Sequence, residues 1–193
     1  MPPVSEINPE FFISTFDSWD TVYKWWRGLS RDKIAADPGI KKKVTELIKG
    51  LSADKDKARA IYNFCAKEIR YVAVEYGQAG HEPHRAEEIF RNKYGDCKDQ
   101  AVLLVTMLNE AGLKAYPVLI STKENNNMLE DFPSILFNHA IAVVRLGQEY
   151  IFMDPTATTC SFADLPTGDQ DRRVLVFEED GYKIIKTSLF AAS

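Results

Sequence analysis

The order of patterns along the chain predicts an α+β fold, with helices first and an antiparallel sheet later, rather than alternating βαβ units. Three observations carry that reading. Apolar residues recur at helical spacing through the first 70 residues or so. One further, well-capped helix begins near Asp96. Beyond it, short β-branched runs alternate with turn residues, and the period drops from 3.6 toward 2.

The first helix is expected after Ser18, a good N-cap, with Trp19, Val22, Trp26 and Leu29 on one stripe. Pro38-Gly39 reads as a break. Ile40, Val44, Leu47 and Ile48 then give a second helix, ended by Gly50. Residues 52–54 cap a third, whose stripe is Ala58, Ile61, Tyr62, Cys65 and Ile69. Residues 71–76 turn extended, 77–83 form a loop, and 85–90 a short helix. The best-defined helix has Asp96 as its N-cap, Asp99 in an acidic first turn, and Ala101, Leu104, Val105 and Leu108 buried. Gly112 is its stop. Strands follow at 115–121, 139–146 and 150–154, the last two joined by the Gly147-Gln148 turn. That turn pairs Leu146 with Glu149. A second hairpin, 174–177 with 183–186, closes around Asp180-Gly181.

The chain has 193 residues, 24 Lys+Arg against 28 Asp+Glu, and is 45% hydrophobic. A globular chain of this length buries roughly 70% of its unfolded surface, so its core needs neither metal nor disulfide. The composition excludes a disordered or collagenous protein. A net charge of −4 provides no basic footprint, so nucleic acid is not an expected partner. No run of 18 apolar residues predicts a membrane span. The first residues lack the basic and apolar regions of a signal peptide, although a mature secreted domain would look the same, so the compartment stays open. Three cysteines, an odd number far apart, are not a disulfide framework.

Three residues stand out chemically. Cys97 opens the capped helix after Tyr94-Gly95-Asp96. Unpaired N–H groups and the positive dipole end at such a position favour a thiolate and can receive an oxyanion. Gly95 allows a sharp turn and space beside the sulfur. His139 opens a strand that is apolar on both faces, so an imidazole sits at the rigid edge of a cleft. Asp154 ends the next strand. With Leu146 opposite Glu149, His139 and Asp154 fall near the same end of adjacent strands, within one diagonal step. Each has a plain structural reading: a packed small residue, a core histidine, an Asp-Pro turn. Together, and each at the end of an element, they point to a thiol nucleophile with an oriented base.

The chain resembles the transglutaminase-like superfamily, a papain-related thiol fold. The matching stretches are Tyr94-Gly95-Asp96-Cys97-Lys98-Asp99-Gln100-Ala101, Phe137-Asn138-His139-Ala140 and Met153-Asp154-Pro155-Thr156. It is most similar to bacterial core domains that follow a β-rich domain in longer proteins; Ser18-Trp19-Asp20 through Trp26 and Asp164-Leu165-Pro166 fit that group as well. The resemblance implies one such domain over 1–193: an N-terminal extension (1–17), a helical part (18–70), and the nucleophile helix with its sheet (71–193). It also implies a Cys97-His139-Asp154 triad acting on amide or thioester acyl groups of a protein or peptide. Members include cross-linkers, peptidases, peptide N-glycanases and inactive scaffolds. The expected activity is therefore a peptidase, amidase or glutamine acyltransferase, and the rival is a silent domain that binds peptide or glycan. Water as acceptor gives hydrolysis and an amine gives transfer.

No cofactor is implied. Gln78, in a Gly-flanked loop, is the candidate side-chain donor to an oxyanion. His81 and His84 alone do not make a metal site, and their loop is expected to line one edge of the cleft. Cys65 reads as core and Cys160 as a loop residue near Asp154. Trp19, Trp25 and Trp26 could form a ligand platform but read better as core and interface, Tyr116 and Pro117 read as strand packing, and the Asn125–Asn127 loop as a mobile lid flanking the cleft.

Overall fold

The computed structural model of the protein describes residues 11–73, 77–125 and 127–189, apart from the side chains of residues 78 and 79. Among these it forms helices α1 (Trp19–Ser30), α2 (Pro38–Leu47), α3 (Asp54–Glu68), α4 (Ala86–Asn92) and α5 (Cys97–Glu110). The strands are β1 (Arg70–Tyr71), β2 (Tyr94–Gly95), β3 (Lys114–Ile120), β4 (His139–Leu146), β5 (Glu149–Met153), β6 (Arg173–Glu178) and β7 (Gly181–Lys186). The fold is α+β, as the pattern predicts. No helix among the described residues is long and apolar enough to cross a membrane.

The last five strands make one antiparallel sheet in the order β5-β4-β3-β6-β7. The β4–β5 hairpin has the expected register, Leu146 opposite Glu149. β1 and β2 pair in parallel, clipping the end of α3 to the start of α5. Both faces of the large sheet are buried. Ala142, Val144, Ile151 and Met153 point toward α3 and α5, while Val118, Ile120, Ile141, Val143, Phe152, Val174 and Val176 make a separate core. This explains the unbroken apolar run of β4, which has no solvent face to mark with polar residues.

α5 is buried all round, from Cys97 to Leu108, rather than along one stripe. It ends in a Schellman motif: the Leu113 N–H donates to the Leu108 carbonyl, the Gly112 N–H to Asn109, and Gly112 takes φ 79°. α1 starts at Ser18, whose Oγ accepts from the Thr21 N–H. Its buried face is Trp19, Val22, Tyr23 and Trp26, with Leu29 only half-buried. Trp19 and Tyr23 pin it by donating to the carbonyls of Glu130 and Glu178.

Two boundary expectations change. Pro38-Gly39 is not a break but the first turn of α2: Asp37 caps it through the Ile40 N–H, and Pro38 sits where its missing N–H costs nothing. α3 begins from Ala53 without a side-chain cap, so neither Ser52 nor Asp54 plays that part.

Candidate active site

The site is built where α5 starts and where β4 and β5 end. Asp96 caps α5: its Oδ1 accepts from the Asp99 N–H at 3.2 Å, while Asp99 Oδ2 accepts from the Asp96 N–H at 3.3 Å. Asp99 also accepts from the His84 N–H at 2.8 Å and contacts its ring, tying the 81–84 segment to the helix start. A Cβ on Gly95 would lie 2.6 Å from Asp99 Cβ, so the glycine makes room for this capping carboxylate rather than for a substrate beside the sulfur. Lys98 Nζ contacts Asp96 Oδ2 in a buried ion pair. Burial nonetheless outweighs Lys98 and raises the Asp96 carboxyl above its usual range.

These contacts present Cys97 at the first position of α5, 8% exposed and facing His139. Side-chain alternation explains the partner on the other side. His139 shares a face with Ile141 and Val143, and Asp154 shares it with Phe152, so the two meet diagonally at the same end of the hairpin. His139 Nε2 and Asp154 Oδ2 are 3.1 Å apart. Asp154 Oδ1 accepts from both the N–H and the hydroxyl of Thr156, at 2.9 and 2.8 Å. With Nε2 engaged by Asp154, Nδ1 is the ring nitrogen left for Cys97, which lines the same cleft.

The electrostatics follow. Burial disfavours the imidazolium, but the hydrogen bonds and charges of Asp154 and Cys97 outweigh it and push His139 up to about 10. Burial also works against the Asp154 carboxylate, yet His139 and Thr156 hold it below its usual range.

A cleft of about 370 Å³ opens on this corner. Cys97, Lys98, Asn138 and His139 line its base, Gly80 and His81 one edge, and Trp25, Trp26, Leu119, Ile135, Phe137 and Ala140 the walls. The 81–84 loop thus reaches the cleft, with His84 spent on Asp99. Beyond the core and interface role favoured over a ligand platform, Trp25 and Trp26 line the cleft, and Trp25 meets the His81 ring edge-on at 5.3 Å. The described part of the asparagine loop is not a lid over these residues, and Asn126 lies outside the described residues. Asn125 and Asn127 are tied to Arg172 and Arg173, and neither lines the cleft. Gln78 lies in the Gly77–Gly80 turn, but its side chain falls outside the described residues. Cys65 is in the core and Cys160 is half-buried, both as expected.

Two contributors have no strong local signal. Thr156 could be suspected from the Asp-Pro-Thr turn, where a hydroxyl two residues on commonly bonds an aspartate. Asp169 could not: it arrives from a distant turn, and its carboxylate, that of Asp154 and the His139 ring all lie within 4.8 Å of one another. One nitrogen and two carboxylates could surround a cation, but Nε2 and Oδ2 are already engaged with each other.

The family model described as the transglutaminase-like superfamily matches residues 41–155, more than half of the chain and the stretch that contains all three of Cys97, His139 and Asp154. The chain belongs to the transglutaminase-like superfamily. No curated protein matches its sequence. Among solved structures it is similar to a candidate protease of Parabacteroides distasonis, with a TM-score of 0.68 and 12% identity, covering 90% of this chain and 32% of that one. It is also similar to a candidate cysteine protease of Cytophaga hutchinsonii, with a TM-score of 0.52 and 13% identity, covering 80% of this chain and 48% of that one. At these identities the likeness is one of fold. The chain spans about a third to a half of the length of these relatives.

Proposed function

We propose that the protein is a cysteine-dependent acyl-transfer enzyme acting on amide bonds of a protein or peptide, with Cys97 as nucleophile, His139 as acid and base, and Asp154 as the group that orients His139. The observation that carries this reading is a single imidazole paired with Asp154 at 3.1 Å that lines the same open cleft as the Cys97 thiol. Membership of the superfamily and the likeness to candidate proteases support it.

In this mechanism the Cys97 sulfur attacks the carboxamide carbon and the carbonyl oxygen becomes an oxyanion. Cys97 opens α5, where a helix leaves its first N–H groups without intrahelical acceptors, so its N–H is free to receive that oxyanion. Gln78 is the proposed second donor, because Gly80 of the same turn lines the cleft. The C–N bond then breaks, and the imidazolium of His139 gives its proton to the departing amine. That leaves a thioester on Cys97 and a neutral ring. Water or an amine attacks the thioester, His139 takes its proton, and the sulfur leaves. The imidazolium holds its proton up to about pH 10, which suits the acid step best. The tryptophan, phenylalanine and isoleucine walls favour a substrate with an apolar side chain beside the scissile bond. The neighbouring β-rich domain implied by the resemblance belongs to this proposal too.

The test is mass spectrometry of the intact protein after exposure to a peptide and glutamine-amide library. A thioester adduct on Cys97, absent in Cys97→Ala, is the expected result. Ligand binding retained by Cys97→Ala, with no adduct on the wild type, would support the silent binding domain instead.

A further inference from the structure

Asp169 has no part in the mechanism above, yet its surroundings are those of a working group. It ends the Thr167–Asp169 turn and is 2% exposed. Its backbone is fully employed: the N–H donates to the Pro166 carbonyl, and the carbonyl accepts from the Thr187 hydroxyl at 2.6 Å. Its side chain is not, because Oδ2 has no hydrogen-bond partner.

The charges around it explain which form it must take. From the end of β5 it faces Asp154, and from the head of β4 it faces His139. From the loop after β5 it faces Cys160, whose thiol is pushed up first by burial and then by Asp154, Asp164 and Asp169. No lysine or arginine among the described residues pairs with it: Arg172 donates to the carbonyls of Ser121 and Asn125, and Lys186 pairs with Asp171. Two buried carboxylates this close, with one imidazolium beside them, do not both ionise readily. Asp154 is the one held ionised, by His139 and by two bonds from Thr156. The proton therefore stays on Asp169.

We infer that Asp169 is a positioning residue that works as a carboxylic acid, donating a hydrogen bond to Asp154 and so holding that carboxylate against His139. When Asp169 loses its proton, a second negative charge tightens the grip of His139 on its own. His139 then becomes a weaker acid toward the departing amine, and less of it is present at neutral pH as the neutral base that the second nucleophile needs. Burial first, and then the charge of Asp154, push Asp169 up to about 7, so the change falls in the neutral range. The inference rests on the proposed roles of Cys97, His139 and Asp154.

The experiment follows the His139 ring by NMR from pH 5 to 11, assigned with His139→Gln, in the wild type and in Asp169→Asn. The asparagine keeps a donor for Asp154 and removes the charge. The wild-type signal is expected to show an extra inflection near pH 7 that the variant lacks. The proton affinity of His139 in the variant is expected to fall roughly 10-fold or more, the effect of deleting a charge about 5 Å away in a partly buried site. A wild-type curve without the extra inflection, or the same His139 titration in both proteins, would overturn the inference. A merely structural Asp169 would alter melting temperature without moving the histidine curve. Alkylation of Cys97 by iodoacetamide in the same samples keeps the two readings apart. An inert Cys97 counts against the proposed function, whereas the histidine titration alone decides the role of Asp169.

Discussion

Cys65 and Cys97 are the same side chain in two regions built on opposite terms. Cys65 stands on α3 and packs against α5, wholly enclosed, its sulfur 3.7 Å from Met107 Sδ. Burial alone drives its thiol up to about 12, so it behaves as a small apolar group. Cys97 lies at the other end of α5, in a corner where buried polar atoms are densely paired: Asp96 with Lys98, Asp99 with His84, His139 with Asp154, Asp154 with Thr156. Both thiols adjoin α5, one as its first residue and one packed against Met107 near its far end, so the difference comes from what surrounds its two ends. Apolar partners silence a thiol by denying it charge, and a polar network gives it a neighbour that can take its proton.

The contrast breaks most directly by alkylation. At pH 7 in the folded protein, Cys97 should react with iodoacetamide at least ~10³-fold faster than Cys65, the gap expected when one thiol is withheld from the thiolate form. Comparable rates would erase the distinction. Asp154→Asn should keep the fold and lower turnover of a cleaved peptide by ~10³-fold or more, because the ring loses the group that orients it. A loss below tenfold would detach Asp154 from the chemistry. On the apolar side, Met107→Ala should cost about 2–5 kcal/mol in denaturant unfolding while leaving the Cys97 alkylation rate unchanged. Gly95→Ala, forced against Asp99 Cβ, should cost about 1–3 kcal/mol and disturb both readouts, since it strains the cap that presents the sulfur. The last prediction concerns pH. His139 is raised from 6.5 to about 10 in the fold, so its contribution is fully present below pH 6.5 and is lost as pH climbs through 10. Melting temperature should therefore fall more steeply between pH 8 and 10 in the wild type than in His139→Gln.

The sequence carried some of these features openly and others not at all. The capping box at Asp96, the Gly112 stop and the Gly147 hairpin are local rules, and each appears where its residues stand. The meeting of His139 and Asp154 followed from them, because a two-residue turn sets the register of everything along the hairpin. Pro38-Gly39 misled for a related reason: proline punctuates a chain, but at the first position of a helix it opens rather than closes. Trp25, Trp26 and Asp169 were hidden because their roles depend on which distant surface α1 and the turn before β6 come to rest against. An asparagine run looks like a free loop until Arg172 and Arg173 are seen holding it.

Asp99 joins two pieces of the molecule that are far apart in function. One carboxylate closes the first turn of α5 and also anchors the backbone of His84, just beyond the cleft edge formed by Gly80 and His81. Starting the helix and bringing up that wall are thus a single event. A chain in which α5 has not nucleated therefore has neither the helix end that activates the sulfur nor the groove beside it, so reactivity and fold arrive together.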